Sequence, residues 1–463
     1  MIHILDQQLI NKIAAGEVIE RPASVVKEVL ENALDAGATD ITVEIKKGGK
    51  QSIKITDNGC GISKNDLRLA PLRHATSKLK TLADLFNINT LGFRGEALAA
   101  IAAISHLKIK SKQQNSEQSY MIELEEGSEI KFEPYPCNPG TIVEVEDLFL
   151  HVPARYKYLK DEYVEAQYIT DIVLKYALIH PDIRFRLITD GKEILNSPST
   201  NEINNITALL GAEVAKHLLK IDTPRVQGFI AKPTLTRSDR SNQYIYINKR
   251  YIKNKTIQDA INEAYTSAMF HHRFPVFIIN VELSPTEYDV NVHPQKFEVR
   301  LKNEEHIKKE IFDMIKQTLL SNDLLPQGTQ DVTFSFDRQP VKLDRPKPNY
   351  FTTEDQLVLA PEEQDSFDFK IIGQIKKTYL LAEDENYFYL IDQHALHERI
   401  YFNELLSGIE VTKQSLLTPL LLEVSIFEAQ VIANHWMELN AMGFVLEEFG
   451  TNLYKLYSTP LIY

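Results

Sequence analysis

The feature that most constrains the fold is a predicted helix followed directly by two alternating strands. Residues 22–34 repeat apolar side chains with the period of a helix, and Gly37 suits its C-terminal end. Residues 40–45 (DITVEI) then alternate apolar and polar side chains, and the alternation resumes at residues 53–57 after a Gly-Gly break. The segment therefore predicts a helix and then a β-hairpin whose second strand ends on an aspartate.

The polar face of this helix carries three side chains whose types suit metal-dependent chemistry. Spacings of four and three residues place Glu28, Asn32 and Asp35 in one line, although Asn is a poor helix former. An amide oxygen ligates Mg²⁺ without adding charge, and a carboxylate orients and deprotonates water. The line therefore suits metal-assisted hydrolysis of a phosphoanhydride. Taken alone, however, a solvated helix face explains it better.

Three further segments combine glycine with polar side chains. DNGCGI (57–62) begins with a strand-end carboxylate, an acceptor for an adenine amino group, and its glycines let a ligand approach the backbone, although a plain turn also needs glycine. RHATSK (73–78) offers two hydroxyls and an ammonium. LGFRGEAL (91–98) places glycines before a helix, where free N–H groups bind phosphate. No GxxxxGK[ST] occurs, which disfavours a P-loop NTPase.

The rest of the chain divides by pattern into further units, and its 463 residues suffice for about three domains. We predict a first domain at residues 1–150, a second α/β domain at 151–325 and an α+β unit at 368–463. A proline-containing segment with little periodicity, residues 326–367, is predicted to be a flexible linker. The last residues have the pattern of a strand and turn in mid-domain, so we expect the third unit to be incomplete.

Composition excludes several classes of protein. No stretch approaches the roughly 20 apolar residues of a membrane helix, and the N-terminus lacks the basic region of a signal peptide. The two cysteines argue against a disulfide framework, exclude a four-cysteine zinc site and fit a reducing cytoplasm. With a net charge of −13, any contact with DNA requires a local basic patch.

One such patch exists between Lys232 and Lys255, where lysines and arginines alternate with tyrosines and Asp239 is the only acid. A solvated hairpin with a charged turn is the simpler interpretation. A surface that contacts phosphates is the alternative, and a strongly salt-dependent DNA affinity would support it.

Four short motifs resemble those of the GHKL ATPases, which have the Bergerat ATP-binding fold: ENALDAGA, DNGCGI, TSK with GFRGEAL, and Gly140–Thr141. Longer segments, among them IAAGEVIERPASVVKEVLENALDAGAT, PARYKYL and DVNVHPQKFEVR, closely resemble the MutL family of DNA mismatch repair proteins. The likeness runs from about residue 4 to 320 and resumes at 370 with IIGQI and LIDQHALHER. It implies a multidomain α/β and α+β protein: a Bergerat ATP-binding α/β sandwich, an α/β domain like ribosomal protein S5 domain 2, a linker, and a partial α+β C-terminal dimerisation domain.

The resemblance implies roles for matching residues. Glu28 is similar to the family's general base, Asn32 to its ligand for the Mg²⁺ that accompanies ATP, and Asp57 to its adenine acceptor. Lys296, in HPQK, resembles a lysine that reaches the γ-phosphate from the second domain and stabilises transition-state charge. Asp35 receives only a supporting polar role. Further nucleotide contacts are implied for Gly59, Gly61, Thr76, Ser77, Lys78, Gly92, Phe93, Arg94, Gly95, Glu96, Ala97, Leu98 and Thr141.

The resemblance also implies partners. It implies that ATP binding closes a homodimer in the cytoplasm and couples mismatch recognition by MutS to a downstream nicking endonuclease and a helicase. An ATP-gated scaffold without significant hydrolysis is the alternative, against which Glu28 argues. Lys255 matches the family's DNA-contacting arginine, with Arg250 and Lys253 nearby. The segment QSLLTP, unless it is a plain loop, resembles a peptide that docks on the replication sliding clamp through Gln414, Leu416, Leu417 and Pro419.

The third unit raises the question of nuclease activity. DQHALHERIYFNE (392–404) resembles a metal-dependent nicking motif of the family, except that Asn403 stands where an acid is expected. His394 and Glu398, four residues apart on a predicted helix, would share a Zn²⁺ or Mn²⁺ ion; an ordinary solvated helix start is the alternative. The later Cys and His motifs do not occur before Tyr463, so the sequence leaves endonuclease activity of a full-length parent open.

Overall fold

The computed structural model describes residues 6–78, 90–92, 95–266, 268–269, 273–285, 287–289, 299–322, 370–375, 378–384, 387–406, 413–450 and 452–460. Three residues with predicted roles, Phe93, Arg94 and Lys296, and the whole predicted linker therefore lie outside the described residues.

The first part of the chain is a mixed sheet covered by helices. Its helices are α1 (Gln7–Val18), α2 (Pro22–Asp35), α3 (Lys64–Leu69), α4 (Ala97–Ile104), α5 (Pro153–Tyr156), α6 (Glu162–Ile179), α7 (Glu202–Leu210) and α8 (Ala212–Lys216). Its strands are β1 (Asp40–Lys46), β2 (Ser52–Asp57), β3 (His106–Lys112), β4 (Tyr120–Glu125), β5 (Ser128–Pro134), β6 (Gly140–Glu146), β7 (Arg184–Thr189) and β8 (Lys192–Ser197). Helices α2, α4 and α6 contact the sheet, and α2 also contacts the other two.

The eight strands run in the order β5-β4-β3-β6-β2-β1-β7-β8. The predicted hairpin is confirmed, because β1 and β2 pair antiparallel across a short 3₁₀ turn at Lys47–Gly49. Alternate residues of these strands, such as Val43 and Ile55, are buried, as the sequence alternation requires. Strand β1 also pairs parallel with β7, so the sheet continues to Ser197, well past position 150.

The next part of the chain is a smaller sheet. Its strands are β9 (Leu218–Asp222), β10 (Val226–Ala231), β11 (Thr236–Arg237), β12 (Gln243–Ile247), β13 (Arg250–Ile252), β14 (Phe274–Pro275), β15 (Phe277–Val281), β16 (Tyr288–Asp289) and β17 (Arg300–Leu301), with helices α9 (Lys255–Ala264) and α10 (Glu304–Ser321). Five strands form the main sheet in the order β13-β12-β15-β10-β9. Helices α9 and α10 contact each other, and their apolar sides join the sheet in a second core.

Residues 370–460 form two three-stranded sheets with helices. The elements are β18 (Lys370–Ile375), β19 (Tyr379–Glu383), β20 (Phe388–Asp392), α11 (Gln393–Leu406), β21 (Lys413–Glu423), α12 (Ile426–Asn434), α13 (Trp436–Ala441), β22 (Val445–Gly450) and β23 (Leu453–Pro460). The sheet orders are β18-β19-β20 and β21-β23-β22. Several apolar side chains of the first sheet are exposed, including Phe388 at 63%.

Candidate nucleotide-binding site

Helix α2 fixes three polar side chains against a buried core. Val26 and Leu30 on its apolar face are completely buried and hold the helix in place. On the other side, the side chains of Glu28 and Asp35 are 15% and 9% exposed. The predicted polar line is thus held on a rigid element and is mostly shielded from solvent.

Asp35 is the centre of this cluster. Its Oδ1 accepts a hydrogen bond from the Leu91 backbone N–H at 3.0 Å, and its Oδ2 accepts one from Gly92 N–H at 3.1 Å. The Lys78 ammonium lies 2.5 Å from Asp35 Oδ2 and 3.0 Å from Asn32 Oδ1. Three segments predicted separately from the sequence therefore meet at one carboxylate.

The second end of the site is built around Asp57, the last residue of β2. Its carboxylate is buried and accepts a hydrogen bond from the Gly59 backbone N–H at 2.8 Å. Burial raises the pKa of the Asp57 carboxyl, and hydrogen bonds from the backbone of Gly59 and Thr141 act in the opposite direction. Gly61, the other predicted glycine of this turn, lies against the backbone of Lys112.

Ser111 is a member of this end of the site that the sequence analysis missed. Its hydroxyl lies 3.0 Å from the Thr141 hydroxyl, donates to the Gly140 carbonyl at 2.9 Å and accepts from Ile62 N–H at 2.8 Å. The sequence signal was a small polar residue at an inward position of an alternating strand. Its hydroxyl connects Gly140 and Thr141 of β6 to the turn that follows Asp57.

A buried charge cluster beside Glu28 was also missed. Lys27 Nζ lies 3.0 Å from Glu28 Oε1 and 3.0 Å from Glu31 Oε1, and the Tyr176 hydroxyl donates to Glu31 at 2.7 Å. Burial acts to lower the pKa of Lys27, but the two carboxylates outweigh it and the pKa is raised. The signal in the sequence was an i,i+4 Lys–Glu pair, a spacing more typical of a helix surface.

The remaining described residues with predicted nucleotide contacts flank the cluster. Thr76 Oγ1 accepts a hydrogen bond from Lys78 N–H at 3.1 Å. The Gly95 carbonyl accepts one from His74 N–H at 3.0 Å, which joins the two segments predicted to bind phosphate. The others are an exposed serine and the residues that begin α4: Ser77, Glu96, Ala97 and Leu98.

The residues predicted to contact DNA lie in different environments. Lys253 and Lys255 are exposed, and Lys255 is the first residue of α9. Arg250 is only partly exposed, and its Nη2 donates to the carbonyl oxygens of Thr90 at 3.2 Å and Leu91 at 3.1 Å. Its guanidinium therefore contacts the Thr90 and Leu91 backbone, which belongs to the candidate nucleotide site.

Several described residues of the predicted sites in the last part of the chain are exposed. His394 is exposed near the start of α11, and the side chain of Glu398 lies outside the described atoms. Within the described ranges, no group of three or more His, Cys, Asp or Glu side chains is placed to hold a metal ion. QSLLTP lies in strand β21, with Leu417 fully exposed. None of the helices that the structure describes is long and apolar enough to cross a membrane.

The sheet, helix α2 and the Asp57 turn define an ATPase domain. Residues 19–146 match the family model of the histidine kinase-, DNA gyrase B- and HSP90-like ATPases. Residues 206–320 match the C-terminal domain of DNA mismatch repair proteins, and residues 372–463 match the MutL C-terminal dimerisation domain.

Whole-chain relatives agree with these matches. The chain is 37% identical to the DNA mismatch repair protein MutL of Caldanaerobacter subterraneus subsp. tengcongensis, across 100% of this chain and 84% of that protein. It is also 37% identical to MutL of Clostridium acetobutylicum, across 99% of this chain and 85% of that protein. A crystal structure of the N-terminal domain of a DNA repair protein aligns with a TM-score of 0.60 and 27% identity, covering 68% of this chain and 99% of that one.

The chain belongs to the MutL family of DNA mismatch repair proteins. The predicted family, the GHKL-type fold with an S5-like second domain, and ATPase activity are thereby confirmed. The chain also contains the dimerisation domain of the family.

Proposed function

We propose that this chain is an ATP-driven coupling factor of mismatch repair. ATP binding closes the N-terminal domains of a homodimer, and hydrolysis reopens them. Closure in the cytoplasm couples mismatch recognition by MutS to nicking by a downstream endonuclease and unwinding by a helicase. The observation that supports this best is helix α2, on which Asn32 and Asp35 contact Lys78 and the Gly92 backbone, one turn away from Glu28.

The proposed chemistry divides the site by residue. Asp57 accepts a hydrogen bond from the adenine amino group, and the Thr141 and Ser111 hydroxyls lie beside it. Lys78 and the glycine-rich backbone face the phosphates. Glu28, held by Lys27, orients the attacking water and takes its proton.

The oxygen atoms on α2 fit a magnesium ion. Asn32 Oδ1 and Asp35 Oδ2 already share one cation, the Lys78 ammonium, so their geometry accommodates a positive charge. Amide and carboxylate oxygens are hard donors of the kind that Mg²⁺ prefers, and we assign Asn32 as the residue that would hold the ion. When bound, the ion would neutralise charge on the phosphates. A Zn²⁺ or Mn²⁺ site at His394 and Glu398 stays a prediction, as does the reach of Lys296 to the γ-phosphate.

The test is ATP hydrolysis by Glu28→Ala in the full chain. We expect the rate to fall by about 100-fold or more, because a positioned base contributes about that much. Binding of a fluorescent ATP analogue should change little, and Glu44→Ala, on the exposed pair with Lys54, should hydrolyse ATP normally. A Glu28→Ala protein with the wild-type rate would contradict the assignment and favour an ATP-gated scaffold.

Three surface features support the proposed partners. The exposed apolar side chains of β18 and β20, among them Ile371, Phe388 and Leu390, offer an area for the partner subunit of a homodimer. Exposed Lys253 and Lys255 offer charge for DNA phosphates, and exposed Leu417 offers an anchor for the sliding clamp.

A further inference from the structure

Two consecutive peptide groups at the nucleotide site are held from both sides by opposite charges. The Thr90–Leu91 peptide donates its N–H to Asp35 Oδ1 at 3.0 Å, and its carbonyl accepts from Arg250 Nη2 at 3.2 Å. The Leu91–Gly92 peptide donates its N–H to Asp35 Oδ2 at 3.1 Å, and its carbonyl accepts from the same Arg250 nitrogen at 3.1 Å. Asp35 ends α2, whereas Arg250 begins β13 of the second sheet.

This arrangement is electrostatically consistent. Each peptide dipole points its N–H at a carboxylate and its carbonyl at a guanidinium, so all four hydrogen bonds are charge-assisted. The bonds also polarise one another through the shared peptide groups. Because the Asp35 side chain is only 9% exposed, water competes weakly for these contacts.

The segment from Thr90 to Gly92 lies directly beside the Lys78 ammonium. A Cβ added to Gly92 would be 3.2 Å from Lys78 Nζ and 3.6 Å from Asn32 Oδ1. Any displacement of the two peptide groups would therefore shift the environment of Lys78, which is itself bound to Asp35.

We propose that Arg250 is a positioning residue for the nucleotide site. With Asp35 it clamps the Thr90–Leu91 and Leu91–Gly92 peptide groups between the two domains, and this clamp couples the placement of the second domain to nucleotide binding. The inference rests on the proposed nucleotide site at α2. It assigns Arg250 a role within the protein in place of the DNA contact expected from its sequence neighbourhood.

The clamp also gives Asp35 a specific task. The carboxylate accepts from one ammonium and two peptide N–H groups at once. A polyphosphate attracts the Lys78 ammonium, whereas the two peptide N–H groups keep their bonds to Asp35 as long as Arg250 holds the carbonyls. Nucleotide binding is therefore favoured by a second domain that is in place.

The experiment measures binding of a fluorescent ATP analogue and steady-state hydrolysis by the full chain without DNA. We expect Arg250→Ala to weaken binding by about tenfold, with KM rising more than kcat falls, since two charge-assisted bonds are lost. The matched control is Lys249→Ala, which removes the same charge from an exposed neighbour and should change binding less than about twofold. Arg250→Lys should recover part of the loss.

A double-mutant cycle tests the coupling itself. The effect of Asp35→Asn with Arg250→Ala on affinity should fall short of the product of the single effects by about fivefold or more, because both residues hold the same peptide groups. Thermal unfolding identifies any variant that does not fold. If Arg250→Ala fails to fold, Arg250→Lys replaces it in the cycle, with a smaller expected loss.

The outcomes separate this inference from the proposed function. If the wild-type chain hydrolyses ATP and Arg250→Ala binds ATP with unchanged affinity, the clamp alone is overturned. If that variant instead loses DNA affinity and its DNA binding depends less on salt, while its ATP binding without DNA is normal, Arg250 belongs to the DNA-binding surface. A wild-type chain that binds no ATP would overturn both the proposed function and the clamp that depends on it.

Discussion

Replacing Lys27 with methionine should destabilise the ATPase domain through the charge left behind. The side chains of Lys27 and Glu31 are 5% and 2% exposed, and their charged atoms lie 3.0 Å apart. Removing one partner of a buried ion pair costs about 3–5 kcal/mol, because the other charge stays buried without compensation. The Tyr176 hydroxyl still donates to Glu31, so we expect the lower end, about 3 kcal/mol in the free energy of unfolding.

Urea unfolding followed by circular dichroism is the suitable assay. The single tryptophan, Trp436, lies in α13, so its fluorescence does not report on α2. Lys54→Met is the matched control: its pair with Glu44 spans 2.7 Å, but the side chains are 39% and 41% exposed. An exposed pair of this kind contributes at most about 1 kcal/mol.

The double variant Lys27→Met/Glu31→Gln should recover most of the loss, because it removes the buried charge and keeps an acceptor for Tyr176. Since the folded-state pKa of Lys27 is raised above 10.5, its contribution is complete below that pH and is lost as pH rises through the folded-state pKa. The measurement therefore belongs near neutral pH. A single variant that loses less than about 1 kcal/mol, or a double variant no more stable than the single one, would refute the reasoning.

Two further predictions concern backbone space and pH. Gly140 has φ 121°, and an added Cβ would lie 2.0 Å from the Asp57 carbonyl oxygen, so Gly140→Ala should weaken ATP binding by about tenfold. Gly191 also has a positive φ, but an added Cβ would meet no atom within 4 Å. Gly191→Ala should therefore bind ATP normally in the same titration. Equal effects of the two alanines would contradict this steric argument. Burial, aided by Lys249, lowers the pKa of His180 from 6.5 to about 4, so its contribution to stability is present above pH 6.5 and is lost as pH falls towards 4. His180→Gln should flatten the pH dependence of unfolding in that window by up to roughly 3 kcal/mol, and an unchanged slope would exclude His180 as its source.

Much of the fold could be predicted because its signals are local. The period of apolar side chains predicted a helix over residues 22–34, and the structure has α2 at Pro22–Asp35. Alternation predicted β1 and β2 and their pairing. The continuation of the sheet past position 150 was not predicted, because the parallel pairing of β1 with β7 joins strands more than 140 residues apart. Nothing in either strand identifies its partner.

The sites follow the same division. The line of Glu28, Asn32 and Asp35 is visible in the sequence because helical geometry alone sets the spacing of side chains along one face. Whether the neighbouring Lys27–Glu31 pair is exposed or buried is not visible, since it depends on α6 bringing Tyr176 over it. Two charged residues with a spacing typical of a helix surface therefore belong to a buried charge cluster.

By itself, the sequence determined the family, the ATPase motifs and the helix that holds three of their polar side chains, because these depend on residue identity and short spacing. Only the tertiary structure decided which groups Asp35 and Arg250 contact. The peptide groups that they share lie 55 to 57 residues from Asp35 and about 160 residues from Arg250 along the chain. The contacts exist because two sheets bring three distant segments together. Charge complementarity across a fold has no periodic signature in the chain, so it is specified only when the fold forms.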